Sequence, residues 1–182
     1  MKSLNTSRFI LNGITEKHLP KIYEGLSNEK VTQYYAVHFN SLEATKEQMQ
    51  WYYNLSENNT GIWWAITNNT DHTFLGAIGL NELDNTKKEI EIGFWLLPQF
   101  WKQGIISECL PFAIDYAFAN FEIEAVIAYA ETENKDSAKV LEKNHFLKSK
   151  EIIEEINHKG RPITSYKFRC SKKQKKTKPL NS

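Results

Sequence analysis

Cysteine is scarce in this chain, and the two that are present, Cys109 and Cys170, do not form a CxxC pair. Two isolated cysteines cannot supply the set of disulfides that holds small secreted domains together. The N-terminal segment has no continuous apolar stretch of the kind found in signal peptides. The chain also never approaches the roughly 18 consecutive apolar residues that a membrane-spanning helix needs. We therefore expect a cytoplasmic protein that has no membrane partner.

The familiar motifs of several enzyme classes are missing as well. The five histidines show no metal-ligand spacing and no HExxH is present, so the sequence predicts no metal site. A G-x-S-x-G elbow, a Walker A loop and a dinucleotide-binding glycine pattern are all absent. A serine hydrolase, a nucleotide kinase or a dehydrogenase of the usual kind would need one of them.

Apolar and aromatic residues are plentiful, since 41% of the 182 residues are hydrophobic and 13% are aromatic. This length and composition predict one compact domain with a sizeable core, which we assign to residues 1–170. Residues 171–182 carry five lysines and little to bury, so we expect a disordered Lys-rich tail there. The net charge of +1 argues against a nucleic-acid partner. Without the tail lysines, residues 1–170 hold 18 basic and 22 acidic residues, a net charge of −4.

Hydrophobic periodicity predicts an α/β fold with a mixed sheet. The predicted order is strand 7–12, two helices that follow Thr15 and Ser41, strands 61–67, 73–83 and 89–96, a long helix that reaches residue 120, strand 124–130, a short helix over 137–144, and a hairpin of strands 152–156 and 163–168. The three consecutive strands are expected to form an antiparallel meander. Alternation along the second of them places Phe74 and Ile78 on the same side.

Segment 94–107 (FWLLPQFWKQGIIS) has the pattern of a phosphate-binding joint. A strand ends near Pro98, a short loop contains Gly104, and a long helix begins at once. Free backbone N–H groups at such a helix N-terminus bind phosphate, and Lys102 adds a positive charge nearby. An ordinary strand-to-helix turn has a similar sequence, so this pattern alone leaves both interpretations open.

Three segments of the chain resemble one known superfamily. The stretch EIEIGFWLLPQFWKQGIISECLPFAIDYAF (89–118) resembles motif A of the GNAT superfamily of acyl-CoA-dependent N-acyltransferases. ETENKDSAKVLEKNHF (131–146) and TSRFILNGITEKHLPKIYEGLSNEKVTQYY (6–35) resemble further segments of its branch that contains the ribosomal-protein-alanine N-acetyltransferases, RimJ and RimL among them. The similarity covers about residues 6–168. It implies a single GNAT-type domain with a mixed, mostly antiparallel central sheet flanked by helices.

The resemblance implies transfer of acetyl from acetyl-CoA to a primary amine, which belongs to a protein N-terminus or to a small molecule. It implies that the strand end at Trp95, Leu96 and Leu97 binds the pantetheine arm and that Asn134 lies beside that arm. The pyrophosphate is implied to bind the loop and first helical turn, which consist of Trp101, Lys102, Gln103, Gly104, Ile105, Ile106 and Ser107. Monomers and homodimers both occur among such proteins.

The resemblance also implies the catalytic groups. An ammonium ion is no nucleophile, so the amine must lose a proton before it attacks, and Glu91 matches the position of the general base. Ser137 matches the serine that acts as general acid toward the departing thiolate. Tyr34 and Tyr35 are candidates for the wall of the acceptor pocket.

Charge around the predicted base can be assessed from strand alternation. Glu89 and Glu91 share one face of their strand, so the pair could raise the pKa of one carboxyl, although Glu89 at the strand start is expected to be solvated. The acceptor loops show no distinctive charged cluster. An acidic folded body nevertheless suits a cationic amine.

The sequence departs from the family pattern at Lys102, Ile106 and His145, where small residues or glycine are usual. These departures favour an alternative, a non-catalytic domain of the same fold that binds or senses acetyl-CoA. A second alternative, nucleic-acid binding, depends only on the Lys-rich tail.

Overall fold

A computed structural model describes residues 3–35, 37–156 and 160–173. The elements, in chain order, are β1 (Leu4–Asn5), β2 (Phe9–Gly13), a 3-10 turn (Glu16–His18), α1 (Leu19–Leu26), α2 (Glu29–Thr32), α3 (Leu42–Glu57), β3 (Ile62–Asn68), β4 (Phe74–Asp84), β5 (Glu89–Leu96), a 3-10 turn (Pro98–Phe100), α4 (Ile105–Asn120), β6 (Ala125–Glu131), α5 (Lys135–Lys143), β7 (Leu147–Ile156) and β8 (Pro162–Ser171). This order confirms the predicted succession of strands and helices.

The eight strands form one sheet in the order β1-β2-β3-β4-β5-β6-β8-β7. Neighbouring strands are antiparallel except β5 and β6, which run parallel and are connected through α4. The predicted meander is β3-β4-β5. The structure therefore confirms a mixed, mostly antiparallel sheet flanked by helices.

The parallel pair separates early. β5 and β6 pair only over Glu89–Ala125, Ile90–Val126 and Glu91–Ile127. Beyond this stretch β5 continues to Leu96 and β6 continues to Glu131, but the two strands no longer pair with each other. The sheet thus contains an internal wedge, which we define as the gap between Ile92–Leu96 of β5 and Ala128–Glu131 of β6, with its closed end at Glu91.

Apolar side chains pack on both faces of the sheet. Trp64, Ile78 and Leu110 belong to the cluster beneath α4, while Trp63 and Trp95 belong to the cluster beneath α1 and α3. Phe74 lies in the second cluster, so the prediction that it shares a face with Ile78 is wrong. A shift of register between Ile66 and Thr67 is the reason, because one extra residue reverses the side to which the following side chains point.

The C-terminal hairpin is longer than predicted, and β8 continues through Ser171, which pairs with Ala125. The Lys172 backbone N–H donates to the Glu124 carbonyl. The remainder of the predicted tail, 174–182, lies outside the described residues. Within the described ranges, no helix is long and apolar enough to cross a membrane.

Candidate active site

Two cavities meet at the open end of the wedge. The larger cavity has a volume of about 680 Å³ and the smaller cavity about 410 Å³. Residues that line both are Tyr34, Tyr35, Phe94, Asn134 and Ser137. The structure therefore brings four of the predicted site residues to one junction.

The smaller cavity is lined by half of the predicted strand-end and loop residues. Its wall includes Trp95, Leu96, Trp101, Lys102 and Ile106. Its charged lining residues are Lys30, Lys102, Lys139 and Asp136, so positive charge predominates. Such a cavity attracts an anion.

The loop before α4 presents unpaired backbone donors. Gly104 is the N-cap of α4, has a φ of 75° and makes no side-chain capping bond. The N–H groups of Ile105, Ile106 and Ser107 have no partner within the helix and project from its N-terminus, which is the positive end of the helix dipole. Lys102 also has a left-handed backbone, with a φ of 61°. A side chain there costs about 1–2 kcal/mol relative to the right-handed region, which explains why glycine is usual at this position.

Arg8, which the sequence analysis did not single out, supports this loop from β2. Both terminal nitrogens of its guanidinium donate to the Gln103 carbonyl at 3.3 Å. Its Nε contacts Glu108 Oε2 at 2.7 Å, and Thr6 donates to the same carboxylate at 2.7 Å. Although partial burial opposes it, these hydrogen bonds hold the pKa of Glu108 below its usual value. The negative charge in the first turn of α4 is thereby paired with Arg8, next to the loop that precedes the helix.

The wedge decides which backbone groups of β5 are open to a ligand. The Leu97 N–H donates to the Leu75 carbonyl, and because hydrogen-bond direction alternates along a strand, Leu97 and Trp95 face β4. Phe94 and Leu96 face the wedge, and the Leu96 carbonyl already accepts a bond of 2.8 Å from the Trp101 indole. The backbone groups of Trp95 and Leu97 are therefore turned toward β4, and those of Phe94 and Leu96 are turned toward the wedge.

Asn134 and Ser137 are joined at the start of α5. Asn134 is the N-cap residue, and its Oδ1 accepts the Ser137 backbone N–H at 3.1 Å. The capping bond fixes the third residue of the helix at the junction of the two cavities. The Ser137 hydroxyl makes no hydrogen bond to another described residue, so it is free to donate toward a ligand.

Glu91 lies at the closed end of the wedge and lines the larger cavity. No described residue forms an ion pair with its carboxylate. Burial, reinforced by the negative charges of Glu82 and Glu155, raises the pKa of Glu91 to about 7. A carboxyl with this pKa can accept a proton and release it near neutral pH.

Glu89 behaves differently from the prediction. It is buried, and its two oxygens bind Lys167 Nζ at 2.8 Å and Arg169 Nε at 3.0 Å. Despite its burial, these two cations lower the pKa of Glu89. Both the expected solvation of Glu89 and its expected effect on the pKa of Glu91 are wrong, because β8 lies close enough to supply two cations that sequence order places far away.

The larger cavity is acidic and aromatic. The glutamates that line it are Glu82, Glu91, Glu131 and Glu155. No lysine, arginine or histidine of the described ranges lines it. Aromatic lining residues are Tyr34, Tyr35, Trp51, Trp63 and Tyr129. The sequence analysis considered charge only in the loops and did not find this cluster, which lies on strands. The four carboxylates come from four different strands, so no local stretch of sequence contains them together.

Two other groups can be assigned. Burial raises the pKa of the Cys109 thiol to about 12, which excludes it as a thiolate nucleophile at neutral pH. His145 follows α5 with a φ of 66°, so it occupies a left-handed position at a helix end where glycine is favoured.

Comparison with known proteins identifies the family. The family described as "Acetyltransferase (GNAT) domain" matches residues 8–147. The uncharacterized N-acetyltransferase YoaA of Bacillus subtilis is 29% identical over 160 residues, which cover 87% of this chain and 90% of YoaA. The ribosomal-protein-serine acetyltransferase of Escherichia coli is 23% identical over 141 residues, covering 75% of this chain and 78% of that protein.

Solved structures agree with this assignment at the level of the fold. The RimL acetyltransferase of ribosomal protein L7/L12, solved in complex with coenzyme A, superposes with a TM-score of 0.80 at 19% identity. The match covers 93% of this chain and 98% of RimL. The chain therefore belongs to the GNAT family and is an acetyl-CoA-dependent acyltransferase.

Proposed function

We propose that this protein moves the acetyl group of acetyl-CoA directly to a primary amine bound in the larger cavity. The observation that carries the proposal is the junction at Asn134 and Ser137, where a cavity rich in lysine meets a cavity rich in glutamate. An anionic donor and a cationic acceptor would approach each other there from opposite sides.

The residues of the smaller cavity fit acetyl-CoA. The uncapped N-terminus of α4, with Lys102 beside it, offers hydrogen-bond donors to a pyrophosphate. This geometry supports acetyl-CoA binding in addition to the family assignment. A Cβ at Gly104 would have only the Arg8 guanidinium within 4 Å, at 3.7 Å, so a phosphate has room to approach the backbone. The Phe94 and Leu96 backbone at the wedge offers donors and an acceptor to a pantetheine arm.

The catalytic roles follow from position. Acetyl-CoA supplies an activated thioester, and this chain supplies the proton transfers. Glu91 takes a proton from the acceptor ammonium, directly or through one water, so that the nitrogen lone pair can form the N–C bond as the C–S bond breaks. The Ser137 hydroxyl donates a proton to the departing sulfur, and the second proton that nitrogen loses as the amide forms restores that hydroxyl. The proton held by Glu91 returns to solvent, so ammonium and acetyl-CoA give amide, CoA thiol and one proton.

Steady-state release of CoA over a panel of amines tests the proposal. In Glu91→Gln we expect kcat to fall by about 10²–10⁴-fold, because the base is lost, while calorimetry finds acetyl-CoA binding unchanged. In the wild type, kcat/KM should rise about tenfold per pH unit below about 7 and then level off, because only ionised Glu91 accepts a proton.

Glu122→Gln, an exposed carboxylate outside both cavities, is the matched control and should keep full activity. Unchanged turnover in Glu91→Gln would contradict the role of the base. Acetyl-CoA binding without turnover on any amine would instead favour the non-catalytic alternative.

A further inference from the structure

The larger cavity holds more negative charge than the acetyl transfer itself requires. One carboxylate, Glu91, is enough to deprotonate an amine. Glu82, Glu131 and Glu155 line the same space, and none of the three has an ion-pair partner among the described residues. The excess carboxylates need an explanation beyond the base.

Two cations of the neighbouring strand β8 are already engaged. Lys167 and Arg169 both bind Glu89, two residues before the closed end of the wedge. Tyr129, farther along β6, carries no charge at neutral pH, because burial raises its pKa above the usual value. Within the part of the chain that the structure describes, the negative charge of the cavity is therefore not balanced by the protein.

Two largely buried polar side chains line this cavity without a partner among the described residues. Asn81 is 9% exposed and Ser165 is 5% exposed. Neither side chain forms a hydrogen bond with another described residue, and the polar atoms of both reach the cavity space, where a ligand can satisfy them. Asn81 pairs with Glu91 across β4 and β5, and Ser165 pairs with Glu131 across β6 and β8, so each lies beside a carboxylate. These oxygens are suited to accept hydrogen bonds from ammonium groups.

The carboxylates occupy two depths. Glu91 is largely buried at the closed end of the wedge, whereas Glu82 on β4 and Glu155 on β7 are exposed at the mouth. An amine that reacts must be neutral when it attacks, so the positive charge that Glu82 and Glu155 attract must belong to a second nitrogen. Trp51 and Tyr129 in the wall provide aromatic faces that also favour a cation.

We propose that the acceptor is a small aliphatic amine with at least two ammonium groups, whose reacting nitrogen lies at Glu91 and whose second nitrogen lies between Glu82 and Glu155. This inference rests on the proposed function, since it assigns the substrate class of the same site. The cavity volume of about 680 Å³ accommodates such a molecule between α3 and β7. Glu82 and Glu155 are then specificity residues, not catalytic residues.

A matched pair of acceptors tests the inference. We expect kcat/KM for 1,4-diaminobutane to exceed that for 1-aminobutane by about 10–100-fold, since a charge-assisted hydrogen bond is at stake. The preference should shrink as salt is added, because the mouth of the cavity is exposed. Calorimetry of 1,4-diaminobutane against the protein saturated with CoA gives a binding readout that does not depend on turnover.

The double variant Glu82→Gln, Glu155→Gln should raise KM for the diamine about tenfold or more and leave acetyl-CoA binding unchanged. Because both glutamates also help raise the pKa of Glu91, the two acceptors are compared within the same variant at pH 8 or above, where Glu91 is ionised with or without them. The ratio of kcat/KM for the diamine to kcat/KM for 1-aminobutane should then fall to about one. Glu122→Gln, Glu124→Gln removes two exposed carboxylates elsewhere and should keep the preference.

The outcomes separate this inference from the proposed function. If 1-aminobutane or an uncharged peptide N-terminus is acetylated as well as the diamine, the inference is overturned while the proposed function stands. Retention of the diamine preference in the Glu82→Gln, Glu155→Gln variant would likewise overturn it. If no amine is acetylated although acetyl-CoA binds, the proposed function itself fails.

Discussion

The two cavities share a wall but differ in how they are charged. The smaller cavity combines three lysines with the free N–H groups at the start of α4, whereas four glutamates and several aromatic rings surround the larger one. A total charge of +1 conceals this separation completely. The difference indicates that charge is organised here by cavity and not by region of sequence.

Among the variants that test the comparison of the two cavities, the one expected to have the largest effect changes the junction between them. Ser137→Ala should lower kcat by about 10²-fold, because the leaving thiolate loses its proton donor, while KM for both substrates changes little. Burst and steady-state measurements of CoA release over pH 6–9 would record it. The variant keeps the backbone N–H that Asn134 caps, so α5 should remain in place. A change in KM for acetyl-CoA with normal kcat would instead make Ser137 a binding residue.

Charge reversal in one cavity should affect one substrate. Lys102→Glu should raise KM for acetyl-CoA about tenfold, because an anion then faces a negative charge, and should leave KM for the amine unchanged. Lys17→Glu, which changes an exposed lysine that lines neither cavity, serves as the control for net charge. Equal effects of the two variants would show that the separation of charge does not govern binding.

The smallest expected effect is on stability. The folded-state pKa of Glu91 is about 7, above the usual 4.5, so the folded protein binds this proton more tightly than the unfolded chain. The wild type should therefore lose stability as the pH rises from about 4.5 to about 7, by about 1–3 kcal/mol. Glu91→Gln cannot ionise, and its Tm should exceed that of the wild type by a few °C at pH 8 but not at pH 4. Scanning calorimetry measures the Tm of both proteins between pH 4 and pH 8. A difference in Tm that stays constant over this range would contradict the buried, unpaired state of Glu91.

The sequence predicted those features that local pattern and family resemblance determine. Strand alternation and helical spacing identified β3, β4, β5 and α4, and the resemblance identified Glu91, Gly104 and Ser137. These features depend on neighbours along the chain or on a motif that stays together in sequence.

Features that depend on strand pairing escaped prediction. Glu89 was expected to be solvated because its partners, Lys167 and Arg169, are about 80 residues away. The four glutamates of the larger cavity meet only because β4, β5, β6 and β7 present the same face. The direction of the backbone at Trp95 and Leu97 depends on which strand lies on each side. Arg8 gave no signal, since a single arginine near a first strand is ordinary.

The ion pairs of Glu89 have a mechanical consequence. Strands β1–β5 and strands β6, β8 and β7 form two half-sheets that are joined by three residue pairs and then diverge. Glu89 reaches across β6 to two side chains of β8, so it links one half-sheet to the other within the short stretch where the two are paired. A side chain with no assigned part in the reaction thus reinforces the junction from which the wedge opens.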